Sequence, residues 1–293
     1  MSELNIIYTQ NTQIRTQNEQ SQVTGIKTTT AETSIFSSDN ITANNQTDIL
    51  TKEEKRAKQK LEKAEAKAER KRIANTPDGI IQGGKQGSSA GDCWLLAQMN
   101  SIAKTDWGKE LYKKAITTND DGSYTVHFEG VKKDITISEK EFKNAKSSSY
   151  YSSSDADALL LEIAVERHFK DTKLNNGTIY GNDLAGEDSL QYLMTGKKGR
   201  QTNRPEEIDI ILKTMGQNSE NNNNISAIYI SRNYDSSNMH HAVSVNKVIL
   251  DEKGEINKVV LLDSYYPDSP KTVSYKTFKN ELKLFGYTTT PQK

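Results

Sequence analysis

The chain has 293 residues, 33% of them hydrophobic, and a mean hydropathy of −0.78. Lys+Arg and Asp+Glu both number 39, so the formal charge is zero and the basic excess of a nucleic-acid binder is missing. No apolar run approaches the ~18 residues that span a bilayer, and a single cysteine excludes an intrachain disulfide and a Cys-rich zinc site.

Residues 1–50 are rich in Thr, Gln, Asn and Ser and lack apolar periodicity. Such a segment cannot bury enough apolar surface to offset its ordering entropy, so a disordered tail is expected. Its first residues show no basic stretch followed by an apolar one, and no conventional signal peptide is expected. The lack of disulfides suits a reducing, cytoplasmic compartment, with unconventional secretion left open. Residues 51–75 read as a charged helix or linker. Thr51 and Glu54 are spaced as a capping box, and Ala, Lys, Glu and Arg fill the interior. Ten basic and five acidic residues over 51–72 leave a net charge of +5. The apolar positions Ala57, Leu61, Ala64, Ala68 and Ile73 make only a narrow stripe, which suits a solvated helix better than a docking or inhibitory segment. Asn75-Thr-Pro-Asp-Gly79 then stops the helix with turn chemistry.

The apolar runs and nearly all aromatics fall within residues 77–293. Cys93 to Lys104 reads as a buried helix, apolar around most of its circumference. Tyr124–Phe128 and Lys133–Ile137 alternate with period two and read as paired strands. Helices are expected over Asp155–Phe169, Glu187–Met194 and Pro205–Met215, then strands over Ala227–Ser231, His241–Leu250 and Lys258–Asp263. A helical part, about 77–200, followed by a strand-rich part, about 201–293, predicts an α+β fold of two lobes with a cleft between them.

The chemistry concentrates in Gln86-Gly-Ser-Ser-Ala-Gly-Asp-Cys93-Trp-Leu-Leu-Ala. A loop of small residues delivers a cysteine to the first turn of a helix, where unpaired N–H groups and the macrodipole favour thiolate. Gly91 permits close backbone approach, and Trp94 can pack behind the loop. A thiolate needs a base, and the chain has four histidines. His127 and His168 sit in a strand and a helix and read as structural. His240 and His241 open an apolar strand, where side chains alternate between faces, so only one of them can enter the cleft. If the strand ending in Asp263 is a neighbour, its carboxylate can orient the imidazole.

Gly91-Asp-Cys-Trp-Leu-Leu-Ala resembles the nucleophile motif of the calpain family of cysteine peptidases, and His241-Ala-Val-Ser-Val resembles its histidine motif. Ala158-Leu-Leu-Leu-Glu162-Ile-Ala and Gly177–Gly196 are similar to the segment between them, so the resemblance covers roughly Gly79 to Tyr275. It implies a papain-like fold, with Cys93 as nucleophile on a helical lobe and His241 and Asp263 on a strand lobe, and endopeptidase activity on proteins. The family's orienting Asn is Asp263 here, and its Trp two residues further is Tyr265. Gln86 resembles the oxyanion-hole glutamine but lies seven residues before Cys93, one more than usual; Gln82 is the alternative. The chemistry requires no cofactor. The resemblance leaves calcium open, with no loop here matching the family's calcium sites. Protein substrates and a monomeric state are expected. Two rivals keep the fold: a transglutaminase or deamidase acting on glutamine side chains, and an inactive papain-fold binding module.

Overall fold

The computed structural model describes residues 52–87, 91–152, 154–181, 185–218, 224–231 and 240–289. The polar tail expected over 1–50 and the Thr51 end of the capping box lie outside them. From Lys52 on, the chain forms one compact unit of mixed α+β structure.

Helix α1 (Lys52–Ile73) follows from its Ala, Lys, Glu and Arg content rather than from packing, since every side chain from Lys55 to Arg72 is exposed. Arg72 pairs with Glu69 at 2.7 Å and Asp78 at 2.9 Å, and Lys146 donates to the Ala74 carbonyl and the Asn75 side chain. Exposed pairs of this kind contribute little, so among the described residues the helix is held weakly, at its C-terminal end. The turn beyond it needs Gly79: φ is +74°, and a Cβ there would lie 2.7 Å from Lys113 Cα.

Helix α2 (Cys93–Ile102) is buried from Trp94 to Ile102. Helix α3 (Asp106–Ala115) comes next, capped by Thr105 Oγ1 accepting the Gly108 N–H at 3.0 Å. Strands β1 (Ile116–Thr118), β2 (Tyr124–Val126) and β3 (Ile135–Ile137) form a small antiparallel sheet, succeeded by α4 (Glu139–Lys146). Helix α5 (Ala156–Thr172) starts at an Asp155 cap that accepts the Ala158 N–H at 3.0 Å and ends at Lys173 in the left-handed region, φ +62°. Leu159, Leu160, Leu161, Ala164, Val165 and Phe169 of this helix are fully buried, and Phe169 stacks on Trp94 with ring centroids 6.2 Å apart. This half closes with α6 (Leu190–Thr195).

The second sheet has six antiparallel strands in the order β4-β9-β5-β6-β7-β8: β4 (Arg200–Thr202), β5 (Ser226–Ser231), β6 (His241–Leu250), β7 (Ile256–Leu262), β8 (Lys271–Ser274) and β9 (Leu282–Thr288). Helices α7 (Pro205–Gln217) and α8 (Tyr275–Glu281) interrupt the series. Helix α2 lies against this sheet, and one side chain ties them: Ser101 Oγ donates to the Ala227 carbonyl at 2.8 Å and accepts the Ala227 N–H at 2.6 Å. The hydroxyl satisfies both polar groups of one buried residue, which would otherwise cost free energy.

Helix α4, strands β1, β4 and β8, and the three elements that follow were not expected. Helix α3 contains Gly108, a poor helix former whose place is dictated by packing: a Cβ there would sit 2.0 Å from the Ile102 carbonyl oxygen. Helix α8 is a short helix whose only buried residue is Phe278, too little for a periodicity. Strand β9 carries Gly286 inside Leu-Lys-Leu-Phe-Gly-Tyr-Thr, and pairing on both sides overrides that weak propensity.

Candidate active site

Cys93 is the first residue of α2, with Asp92 at the N-cap position, although the Asp92 side chain does not cap the helix. The turn into the helix is tight. Gly91 has φ +61°, and a Cβ on it would lie 2.3 Å from the Tyr180 ring, which packs across the glycine. The Gly181 N–H donates to the Gly91 carbonyl at 3.1 Å, closing the loop from the Tyr180 side. Next to the cysteine, Trp94 Nε1 donates to the Ile179 carbonyl at 2.7 Å. The cysteine is therefore fixed from both flanks, while residues 88–90 of the preceding loop lie outside the described ones.

The thiol is half-buried and within hydrogen-bonding reach of the Ala242 backbone N–H at the start of β6. Burial pushes the Cys93 pKa up; the Ala242 N–H opposes this, the Asp92 charge adds to it, the Trp94 N–H opposes it, and the Asp263 charge adds to it. This corrects the expectation of a helix-stabilised thiolate. The first turn of α2 supplies N–H groups, but removal of water and two nearby carboxylates outweigh them. These surroundings favour the thiol over the thiolate.

The candidate base is on the strand packed against the Cys93 helix. His241 opens β6 and is buried, whereas His240 is exposed. Strand β6 pairs with β7 in a register that sets Ser244 opposite Leu262, so Asp263, one residue beyond β7, comes alongside the beginning of β6. His241 Nε2 lies 2.9 Å from Asp263 Oδ1. An ionised carboxylate can only accept, so Nε2–H donates and the ring's lone pair is on Nδ1. The same Oδ1 accepts the Tyr265 N–H at 2.9 Å. Burial raises the Asp263 pKa, and the Tyr265 N–H and then the Lys271 charge oppose the rise. The Tyr265 ring stacks on the imidazole at 5.1 Å, 12° from parallel. Tyr265 thus holds both partners, one through its ring and the other through its backbone.

The two candidate glutamines, Gln86 and Gln82, separate clearly. Gln82 is exposed, and its N–H donates to Asp155 at 2.7 Å. Gln86 is buried, and its N–H donates at 2.9 Å to the carbonyl of Ser264, the residue after Asp263. Its side-chain Oε1 has no hydrogen-bond partner among the described residues. The structure thus brings Cys93, His241, Asp263 and Gln86 to the start of α2 and the adjoining ends of β6 and β7. His127 is exposed, 2.7 Å from Asp134, and His168 is on α5 beside Phe169; neither belongs to the site.

Sequence reasoning missed the surroundings of Asp92. The residue is fully buried, and it faces Glu162 of α5, which is fully buried too. Both lie inside the segments that carry the motifs, and no periodicity distinguishes a buried acid from a solvated one. No family model and no curated protein matches this sequence.

Proposed function

We propose that the chain is a cysteine endopeptidase of the calpain-like kind, with a papain-like two-lobed core, hydrolysing peptide bonds in proteins through Cys93, His241 and Asp263. The observation that carries this reading is the meeting of three chain segments. A thiol at the start of a buried helix lies against the first peptide of β6, and the imidazole at that point is held through Nε2 by a carboxylate 2.9 Å away. The order of a mainly helical half before an antiparallel sheet, with the nucleophile helix packed against that sheet, supports the papain-like architecture.

The reaction is set by the proton inventory. His241 Nδ1 takes the Cys93 proton as sulfur attacks the peptide carbonyl carbon, and Asp263 stabilises the imidazolium so formed. The negative charge then on the carbonyl oxygen is met by the Cys93 backbone N–H and the Gln86 side-chain amide. The imidazolium passes its proton to the departing amine, leaving a thioester on Cys93. Water, deprotonated by His241, attacks the thioester, releasing the acid product and restoring the thiol.

The test is casein hydrolysis followed by mass spectrometry, comparing wild type with Cys93→Ala. New termini from backbone cleavage in wild type alone are the expected result. Glutamine deamidation, or cross-links without new termini, would replace hydrolysis by side-chain transfer. Equal cleavage by a folded Cys93→Ala protein would overturn the proposal.

A further inference from the structure

Behind the thiol lie two carboxyl groups that the mechanism does not use. Asp92 and Glu162 are both fully buried and within hydrogen-bonding reach of each other. Both Asp92 oxygens lack any N–H or hydroxyl donor among the described residues. Glu162 receives one donor, the Ser152 N–H, 2.9 Å from Oε2 and 3.1 Å from Oε1. No salt bridge among the described residues reaches either group.

Two ionised carboxylates at such a place would repel each other with little solvent to screen them, so the pair must hold a proton. The other groups around it decide where. Glu166, one turn along α5, accepts from Tyr150 at 3.5 Å and from Tyr151, and pairs with Lys170 at 3.0 Å. Glu166 thus has donors and a cation of its own, and its proximity adds to the rise at Glu162. Burial raises the pKa of both members, and Glu162, with Asp92 and Glu166 beside it, is raised well above its ordinary value.

We propose that Asp92 and Glu162 are a positioning pair for Cys93: the Glu162 acid donates a hydrogen bond to the Asp92 carboxylate and so fixes the turn that presents the thiol. The inference rests on Cys93 being the nucleophile. It assigns Asp92 a second effect, because its charge adjoins Cys93 and holds the thiol protonated until His241 takes the proton. From the sheet side Asp263 acts in the same direction.

Cys93 is the only thiol in the chain, so its state is read directly by the rate of alkylation with iodoacetamide, without any peptide substrate. The rate is measured on the full chain from about pH 5 to 10 for wild type, Glu162→Gln, Glu162→Leu and Asp92→Asn, with circular dichroism of each. Glu162→Gln retains a donor and is expected to alkylate within about twofold of wild type at neutral pH; Glu162→Leu has none and is expected to be at least about tenfold slower. Asp92→Asn removes the charge beside sulfur and is expected to lower the midpoint of the profile by about half to one pH unit. Identical profiles for folded Glu162→Leu and Glu162→Gln would overturn the pair, as would an unshifted midpoint in Asp92→Asn. Should Glu162→Leu not fold, the Asp92→Asn midpoint decides alone. The expected profiles together with intact casein would uphold the pair and sink only the peptidase reading.

Discussion

Each member of the proposed triad makes a different demand on its side chain, and substitution separates them. Asp263→Ala removes the acceptor for His241 Nε2–H and is expected to cost on the order of 10²–10⁴-fold in kcat/KM on a peptide substrate. Asp263→Asn keeps an acceptor oxygen but loses the charge that stabilises imidazolium. It is expected to retain more activity, with the acid limb of its pH–rate profile moved to lower pH, because a less stabilised imidazolium gives up its proton sooner. His241→Ala is expected to abolish cleavage and His240→Ala to spare it, since only His241 is buried against Asp263; the rates of the two variants check this. At this scale the sequence was legible where a residue type is rare. One cysteine and four histidines leave few pairings, and strand alternation separates His240 from His241. It was less legible where charge and burial conflict. The thiol is pushed toward its neutral form by burial and by Asp92, a residue whose neighbours in sequence say nothing of the acid it faces.

At the scale of elements, the strongest constraints are the ties between each helix and the segments packed against it. Trp94 joins α2 to α5 by stacking on Phe169 and reaches the Ile179 carbonyl through Nε1. Trp94→Ala leaves a large void and an unmet carbonyl, and a loss of about 3–5 kcal/mol in urea unfolding is expected. Asp157, in the first turn of α5, accepts the N–H groups of Asp78 at 2.8 Å and Gly79 at 3.0 Å, which fastens the turn after α1 to the body of the protein. Burial lifts its pKa to about 7; the Asp78 N–H opposes this, the Asp155 charge adds to it, and the Gly79 N–H opposes it. A carboxyl whose folded pKa lies above its unfolded value of about 4 binds its proton more tightly when folded. Its contribution to stability is therefore present below about pH 4 and lost as pH rises toward 7. Relative to Asp157→Asn, wild type is expected to lose roughly 2 kcal/mol between pH 5 and 7 in urea titrations. The long helices and alternating strands were readable from periodicity. Helix α3 and strand β9 were not, because each contains a glycine whose cost is met by contacts outside the element itself.

For the whole molecule, the division of labour along the chain was visible before the fold: charged helix, helical half, strand-rich half. Strand order was not, because pairing partners are set by packing that no local pattern records. The charged helix obeys its composition closely, and its exposed length makes a clear expectation. Among the described residues, a protein beginning at Pro77 loses the pairs at Arg72, Ala74 and Asn75 and no others that cross to the body, so its melting temperature is expected to fall by no more than a few degrees, and brief trypsin treatment should cut within Lys52–Arg72 first. The strand order carries a consequence for how the molecule is made. Strand β9, the last in the chain, lies between β4 and β5 rather than at the edge of the sheet. On the ribosome, the helix bearing Cys93 and the strand bearing His241 emerge well before it, and β5 has an unpaired flank until it arrives. A six-stranded sheet with that vacancy lacks the bonds that hold β5, and through it β6, in place. The sheet beside Cys93 and His241 is thus complete only once residues 282–288 have been made, so the candidate site gains its full support late in synthesis.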